Sequence, residues 1–223
     1  MYVAIVVGLL VLLLVVIRHV RSQLTFRMRD ECVALREERF DDLPPVDVDA
    51  VLARGKKQHG VKVTGTRLSE ADLDAAIPDL MAYVRAPAFL DRVHTLLGFV
   101  PASTLVFARA YEKGDKIDWH YDQNLTKGRK YTGILHVSVP ACNTSHFQYR
   151  QPCTGTVATP TQTTGTLFVY PGNEVFHRVT EQEGGETCTR FVVVFGFTET
   201  HERTVMQRVM HTLDAVGKRI FDY

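Results

Sequence analysis

Tyr111-Glu112-Lys113-Gly114-Asp115-Lys116-Ile117-Asp118-Trp119-His120-Tyr121-Asp122 is the stretch on which the fold and the chemistry turn. In an extended strand, side chains two positions apart share a face, so His120 and Asp122 point together while Tyr121 points away. An imidazole beside a carboxylate supplies two of the three ligands of a facial metal site. The third should be a histidine on a facing strand later in the chain. His177 fits that need, in Pro171-Gly172-Asn173-Glu174-Val175-Phe176-His177-Arg178-Val179, directly after the apolar run Leu167-Phe168-Val169-Tyr170. Two histidines and one carboxylate leave roughly three positions of an octahedral Fe(II) open. Zinc is more often held tetrahedrally.

Further along, Arg190 opens the run Arg190-Phe191-Val192-Val193-Val194-Phe195-Gly196-Phe197. A guanidinium at the head of an apolar strand is costly to desolvate without an anionic partner. A dicarboxylate would supply one, because guanidinium grips carboxylate through two parallel hydrogen bonds. Glu174 and Glu186 are the alternative partners within the chain.

Outward from these residues the texture is β-rich. Residues 104–111, 131–139, 146–149, 165–170, 174–179 and 190–197 form short runs divided by Gly, Pro and Asn. Many short strands with turn signals between them predict a sandwich or jelly roll. Upstream the spacing is helical. Ser69 with Asp72 resembles a capping box ahead of Leu73, Ile77, Leu80 and Met81, and a second helix over 88–97 stops at Gly98. Downstream, Met206, Val209, Met210, Leu213 and Val216 predict a closing helix over 204–220. The expected fold class is mainly β with flanking helices (α+β).

The amino terminus differs from the rest. Residues 2–17 are sixteen positions without a charge, and extension to Val20 reaches the ~17–25 residues that cross a bilayer. Only Met1 precedes the run and Arg18-His19-Val20-Arg21 follows, the wrong flanks for a cleaved signal peptide. A helix apolar on every face at a chain end seldom finds enough protein to cover it. Residues 1–20 are therefore expected to be a transmembrane anchor. Arg18, Arg21, Arg27 and Arg29 then place the bulk of the chain in the cytosol, where unpaired cysteines are at ease. A lumenal placement is the alternative, with Cys142 and Cys153 the pair most easily bridged. Leu24, Met28, Cys32 and Leu35 predict a juxtamembrane amphipathic helix over 22–40, ended by Pro44-Pro45 and followed by a linker to Gly60. The expected organisation is an anchor at 1–20, juxtamembrane helix and linker at 21–60, and one domain at 61–223.

Composition narrows the function. With 45% apolar and 23% charged residues in 223, the chain can build a core and is not disordered. Lys and Arg number 26 against 25 Asp and Glu, a balance that argues against a nucleic-acid partner. Cys32, Cys142, Cys153 and Cys188 contain no C-x-x-C pair, which argues against a zinc finger or ribbon.

The order H-x-D, distant His, then Arg opening the last core strand resembles the 2-oxoglutarate/Fe(II)-dependent dioxygenase family, most closely its prolyl 4-hydroxylase-like branch. Tyr111 followed by Gly114 resembles that branch's lead-in strand and turn. Arg129-Lys130-Tyr131-Thr132-Gly133-Ile134-Leu135-His136-Val137-Ser138 resembles its R-x-x-T strand, and Gly165-Thr166-Leu167-Phe168-Val169-Tyr170 the strand before the distal His. The likeness covers residues 104–197. It implies a double-stranded β-helix (jelly roll) with Fe(II) on His120, Asp122 and His177. It further implies 2-oxoglutarate chelating the iron, its far carboxylate on Arg190, with Tyr111 and Thr132 lining the pocket. His136 is a further candidate, because hypoxia-type relatives carry a tyrosine there. O2 is the implied second co-substrate, with ascorbate as an accessory.

The implied activity is hydroxylation of a substrate C–H with decarboxylation of 2-oxoglutarate to succinate. A peptidyl residue, proline first, is the leading substrate; a small molecule, lipid or nucleobase is the alternative. A catalytically silent β-helix acting as a membrane-tethered binding module is the reading from another class. Two departures stand out. In that branch the basic residue commonly lies nearer the distal His, where this chain has Thr187, and the glycine-rich T-x-F segment is replaced by Asn143-Thr144-Ser145-His146-Phe147-Gln148-Tyr149-Arg150.

Overall fold

A computed structural model describes residues 35–60, 62–122, 130–185 and 187–202. Strand β1 (Arg36–Arg39) leads to helix α1 (Val48–Leu52), then β2 (Lys56–His59) and β3 (Thr64–Ser69). Three helices follow: α2 (Glu70–Ala76), α3 (Pro78–Arg85) and α4 (Pro87–Leu97). The remaining strands are β4 (Ser103–Tyr111), β5 (Ile117–His120), β6 (Lys130–Ser138), β7 (Phe147–Arg150), β8 (Val157–Ala158), β9 (Thr166–Tyr170), β10 (His177–Val179) and β11 (Arg190–Thr198).

They form two antiparallel sheets, one of seven strands in the order β1-β9-β6-β11-β4-β3-β2 and one of four in the order β5-β10-β7-β8. This is the expected mainly-β jelly roll. Alternation along each strand gives the large sheet two apolar faces. Leu68, Ala108, Ala110, Leu135 and Val193 pack on Leu80, Met81, Val84, Phe89 and Val93 of α3 and α4. Tyr111, Ile134, Phe168, Tyr170 and Val192 face the small sheet's Ile117, Phe147 and Val179, with Val175 of the turn before β10. Each fully buried Leu, Val or Phe contributes roughly 1.5–3 kcal/mol, so this three-layer stack sets the spacing of the sheets.

The helical ends follow local rules. The capping box at α2 is formed, with the Ser69 side chain accepting from Asp72 N and Asp72 accepting from Ser69 N. Helix α4 starts on Pro87, whose missing N–H is harmless in the first turn. It ends at Gly98 in the left-handed region, φ 81°.

Residues 35–60 differ from the expectation of a helix to 40 and a linker to 60. Arg36–Arg39 is a strand on the open edge of β9, pairing Arg36↔Val169 through Arg39↔Thr166. Its backbone gains a hydrogen-bonded edge, and its charged side chains find separate partners. Arg36 donates to the carbonyls of Leu96 and Leu97 at the end of α4, and Glu38 pairs with Arg92. The segment after it is packed rather than linking, with Phe40 and Val51 buried in the helix-side core and Lys56–His59 added to β3. Among the described residues no helix is long and apolar enough to cross a membrane. The expected anchor, most of the juxtamembrane helix and the closing helix lie outside the described residues.

The cysteines differ too. Cys142 is bonded to Cys188, with Cα atoms 5.9 Å apart, and not to Cys153, which is itself disulfide-bonded. Cys188 stands at the end of the 181–187 loop, against the 140–146 connection, and that juxtaposition selects it.

Candidate metal centre and co-substrate pocket

Strands β5 and β10 pair with His177 opposite His120, which sets the two rings 4.2 Å apart between centroids. Each ring is oriented by the carbonyl two residues earlier. Nδ1 of His120 lies 2.8 Å from Asp118 O, and Nδ1 of His177 lies 2.9 Å from Val175 O. A carbonyl only accepts, so each Nδ1 carries the proton and each Nε2 presents a lone pair. Those two Nε2 atoms lie 3.7 and 3.9 Å from Asp122 Oδ1. Among the described residues, His120, Asp122 and His177 are the one such cluster, their ligand atoms all within 4.8 Å of one another.

Asp122 lies just beyond β5 and is held from the large sheet. Its N–H donates to Gly172 O at 2.9 Å, and the Thr132 hydroxyl donates to its Oδ2. Gly172 has to be glycine here, since a Cβ would fall 2.2 Å from Asp122 Oδ2 and 2.3 Å from Thr132 Oγ1. Burial pushes the Asp122 carboxyl up, but His177, Lys130, His120 and the Thr132 hydroxyl outweigh it and hold it below the usual range. Burial, then His120, brings His177 down to about 4, so its lone pair is free at neutral pH.

The second cluster lies deeper. Arg190 is 1% exposed, stands opposite Tyr111 in the β11–β4 register, and its guanidinium carbon is 5.3 Å from the Tyr111 ring centroid. Nη1 donates to Ser145 Oγ at 3.3 Å, and Nε has no partner. Among the described residues no carboxylate pairs with it, Glu174 included. Burial lowers Arg190 to about 10, and the side chain is still a cation at neutral pH. His136 is fully buried with neither ring nitrogen partnered, edge-on to Phe168 at 4.9 Å. Burial, then Arg190, holds its pKa well below the usual value, so the ring is neutral with one donor.

The structure therefore brings His120, Asp122 and His177 together, and separately Arg190, Tyr111 and His136. Thr132 belongs with the first cluster, its hydroxyl on Asp122. Ser145, Gln182 and Gly172 were not singled out in the sequence. Gln182 is fully buried and ties Asn143, Thr144 and the Cys188 carbonyl together behind Arg190. Only Gly172 carried a signal, as the glycine of a Pro-Gly turn ahead of the distal histidine.

An unpaired buried polar atom costs about 1–3 kcal/mol. Nε of Arg190 and both nitrogens of His136 are three such atoms in the space between the sheets. A polar, anionic small molecule that accepts from Arg190 and from the one N–H of His136 would satisfy two of them. Two imidazoles, each presenting Nε2, and a carboxylate, with exposure on the His120 side, suit a divalent metal that keeps open positions.

No protein-family model matches the sequence, and no curated protein matches it. Solved structures do match. A Pseudomonas putida prolyl-4-hydroxylase superposes with a TM-score of 0.51 at 14% identity, covering 74% of this chain and 93% of that one. A Trichoplax adhaerens prolyl hydroxylase, bound to a peptide of hypoxia-inducible factor, gives 0.53 at 12% identity over 73% and 79%. HygX from Streptomyces hygroscopicus, with nickel and 2-oxoglutarate bound, gives 0.53 at 12% identity over 76% and 84%. At these identities the likeness establishes the fold, and the fold is the jelly roll of 2-oxoglutarate/Fe(II) oxygenases.

Proposed function

We propose that the chain is a 2-oxoglutarate/Fe(II)-dependent oxygenase that hydroxylates a substrate C–H, with peptidyl proline the leading substrate. One observation carries the reading: a His-Asp-His cluster and a buried arginine with no carboxylate partner among the described residues share the space between the two sheets. His120, Asp122 and His177 would hold Fe(II); Arg190 and His136 would hold the far carboxylate of 2-oxoglutarate, with Tyr111 beside them. When bound, iron and 2-oxoglutarate supply O2-dependent oxidising power at the cost of decarboxylation to succinate. The chain's own residues do the rest. The carbonyls of Asp118 and Val175 fix both imidazoles, Thr132 and Gly172 fix the carboxylate, and the aromatic walls of Phe147, Phe168 and Tyr170 exclude water.

Likeness to two prolyl hydroxylases supports a peptide substrate, and likeness to HygX supports a small-molecule oxygenase as the second reading. Anchoring by residues 1–20 remains part of the proposal. The Cys142–Cys188 bond supports an oxidising compartment for the domain, the lumenal alternative, over the cytosolic one. The test is succinate formation by the full chain in detergent with Fe(II) and 2-oxoglutarate. The expected result is succinate that disappears in Asp122→Ala. Absence of both succinate and 2-oxoglutarate binding in the native chain overturns the reading and leaves the silent binding module.

A further inference from the structure

Two arginines in the same inter-sheet space have no role in the site above. Arg67 on β3 and Arg109 on β4 are direct cross-strand partners, and Arg109 stands opposite Val192 on β11. Their neighbours Leu68, Ala108 and Ala110 face the helices, so the arginines share the face of Tyr111 and Val192. Both guanidiniums lie over the Phe107 ring, at 4.9 and 5.9 Å from its centroid. Arg109 also donates to Gln58 Oε1 at 3.1 Å. Among the described residues neither meets a carboxylate. Lys56 continues the row on β2, opposite Arg67 and within the field of Asp72.

Like charges directly opposite each other on neighbouring strands are destabilising. The effect is visible at Arg67, whose pKa is lowered by burial and then by Arg109. Stacking on Phe107 accounts for where the two side chains lie; it does not neutralise two charges side by side. An oxyanion between them does.

Register says which molecule brings it. Along β4, Tyr111 stands opposite Arg190 and Phe107 opposite Val194, while Thr132, which holds Asp122, stands opposite Gly196. The arginine row therefore lies between the co-substrate end and the metal end of the pocket, displaced sideways toward β3. Exposure rises along β4 away from the co-substrate end, with Tyr111 buried, Phe107 half-buried and Leu105 56% exposed, and sideways from half-buried Arg109 and Arg67 to exposed Lys56 on β2. This is an exposed flank beside the site.

We propose that Arg67 and Arg109 form an anion subsite for the substrate, holding a carboxylate or phosphate group borne by the molecule that is hydroxylated. The subsite's position rests on the oxygenase reading; its anion binding does not. It selects an acidic substrate, with the anionic group beside the reacting C–H rather than at the far end of a long chain.

The test uses the full chain in detergent with Zn(II) in place of iron and saturating 2-oxoglutarate, titrated calorimetrically with inorganic phosphate and, separately, acetate. One saturable site is expected, weakened at least tenfold in Arg67→Gln and in Arg109→Gln and partly restored in the two Lys variants. Stronger phosphate binding assigns a phosphorylated substrate, and stronger acetate binding a carboxylated one. Binding that is absent, unchanged in both Gln variants, or competitive with 2-oxoglutarate overturns the subsite. Succinate formation by the iron-loaded native chain, measured alongside, tests the parent reading independently.

Discussion

The two sheets hold their functional residues by different means. In the large sheet β4, β6 and β11 are nine residues each, and β11 pairs with β4 without a break from Arg190↔Tyr111 to Thr198↔Ser103. Arg190 and Tyr111 stand on that lattice; Thr132 and His136 stand on β6, whose pairing with β11 shifts once, between Phe191 and Val192, and is regular from His136 to Lys130. In the small sheet no strand exceeds four residues, and the β5–β10 pairing slips between His177 and Val179. His120 and His177 are therefore positioned by individual ties: a backbone carbonyl on each Nδ1 and a shared carboxylate reached from the large sheet. A site built this way should fail in steps at the metal end and smoothly at the co-substrate end.

The largest effect is expected where the ties converge. On the proposed reading Asp122→Ala removes a metal ligand, together with the side-chain bond from Thr132 on the large sheet. Losing a group that only orients a ligand costs about 10–100-fold in metal affinity, so the variant should retain no Fe(II) and lose more than ~100-fold in activity. Metal content after dialysis reads this directly. Gly172→Ala, whose Cβ meets both Asp122 and Thr132, should imitate it in metal affinity while leaving the ligand set intact.

Next comes the Cys142–Cys188 bond, which ties the chain entering the small sheet to the chain entering β11 across 46 residues. In the chain-entropy picture its removal costs about 4 kcal/mol of stability. Denaturant unfolding of Cys142→Ser/Cys188→Ser against the native chain measures that. An unchanged midpoint would mean that the lattice of the large sheet alone holds Arg190.

Third is Arg190→Met. Leaving a carboxylate in a buried pocket without its cation costs 2–5 kcal/mol, so 2-oxoglutarate affinity should fall about 100-fold. Metal affinity should hold, since Arg190 makes no bond to the ligands. The split between the two readouts is the comparison itself, put as a measurement.

The same contrast explains what could be read from the sequence. The long strands β4, β6, β9 and β11 were legible because apolar runs between turn residues bury both faces, and α2 and α4 because Ser69, Asp72 and Gly98 mark their ends. His120 and Asp122 were legible from side-chain alternation, and His177 from its place just after the apolar run 167–170. Arg36–Arg39 and Lys56–His59 were not. Neither has an apolar pattern, and each becomes a strand because an open edge accepts its backbone. The partner of Cys142 was open for the same reason, since connectivity depends on which loops meet in space. Ser145 and Gln182 carry no local signal at all. They are buried polar residues recognised by the groups they satisfy.

Ser145 sits where the two regimes meet, and the smallest predicted effect discriminates most. Its hydroxyl donates to Thr180 O, just past β10, and its oxygen accepts from Arg190 Nη1 on the large sheet. A hydrogen bond to a charged group is worth about 1.5–3 kcal/mol. Arg190 keeps its place on β11 without it, so the lower bound applies and Ser145→Ala should weaken 2-oxoglutarate about tenfold. If the large sheet positions Arg190, metal affinity stays native. If the small sheet supports Arg190 through Ser145, releasing Thr180 loosens β10 and His177 as well, and metal affinity falls with it. Titrating Fe(II) and 2-oxoglutarate separately against this one variant shows whether Arg190 is independent of the short strands that carry His120 and His177.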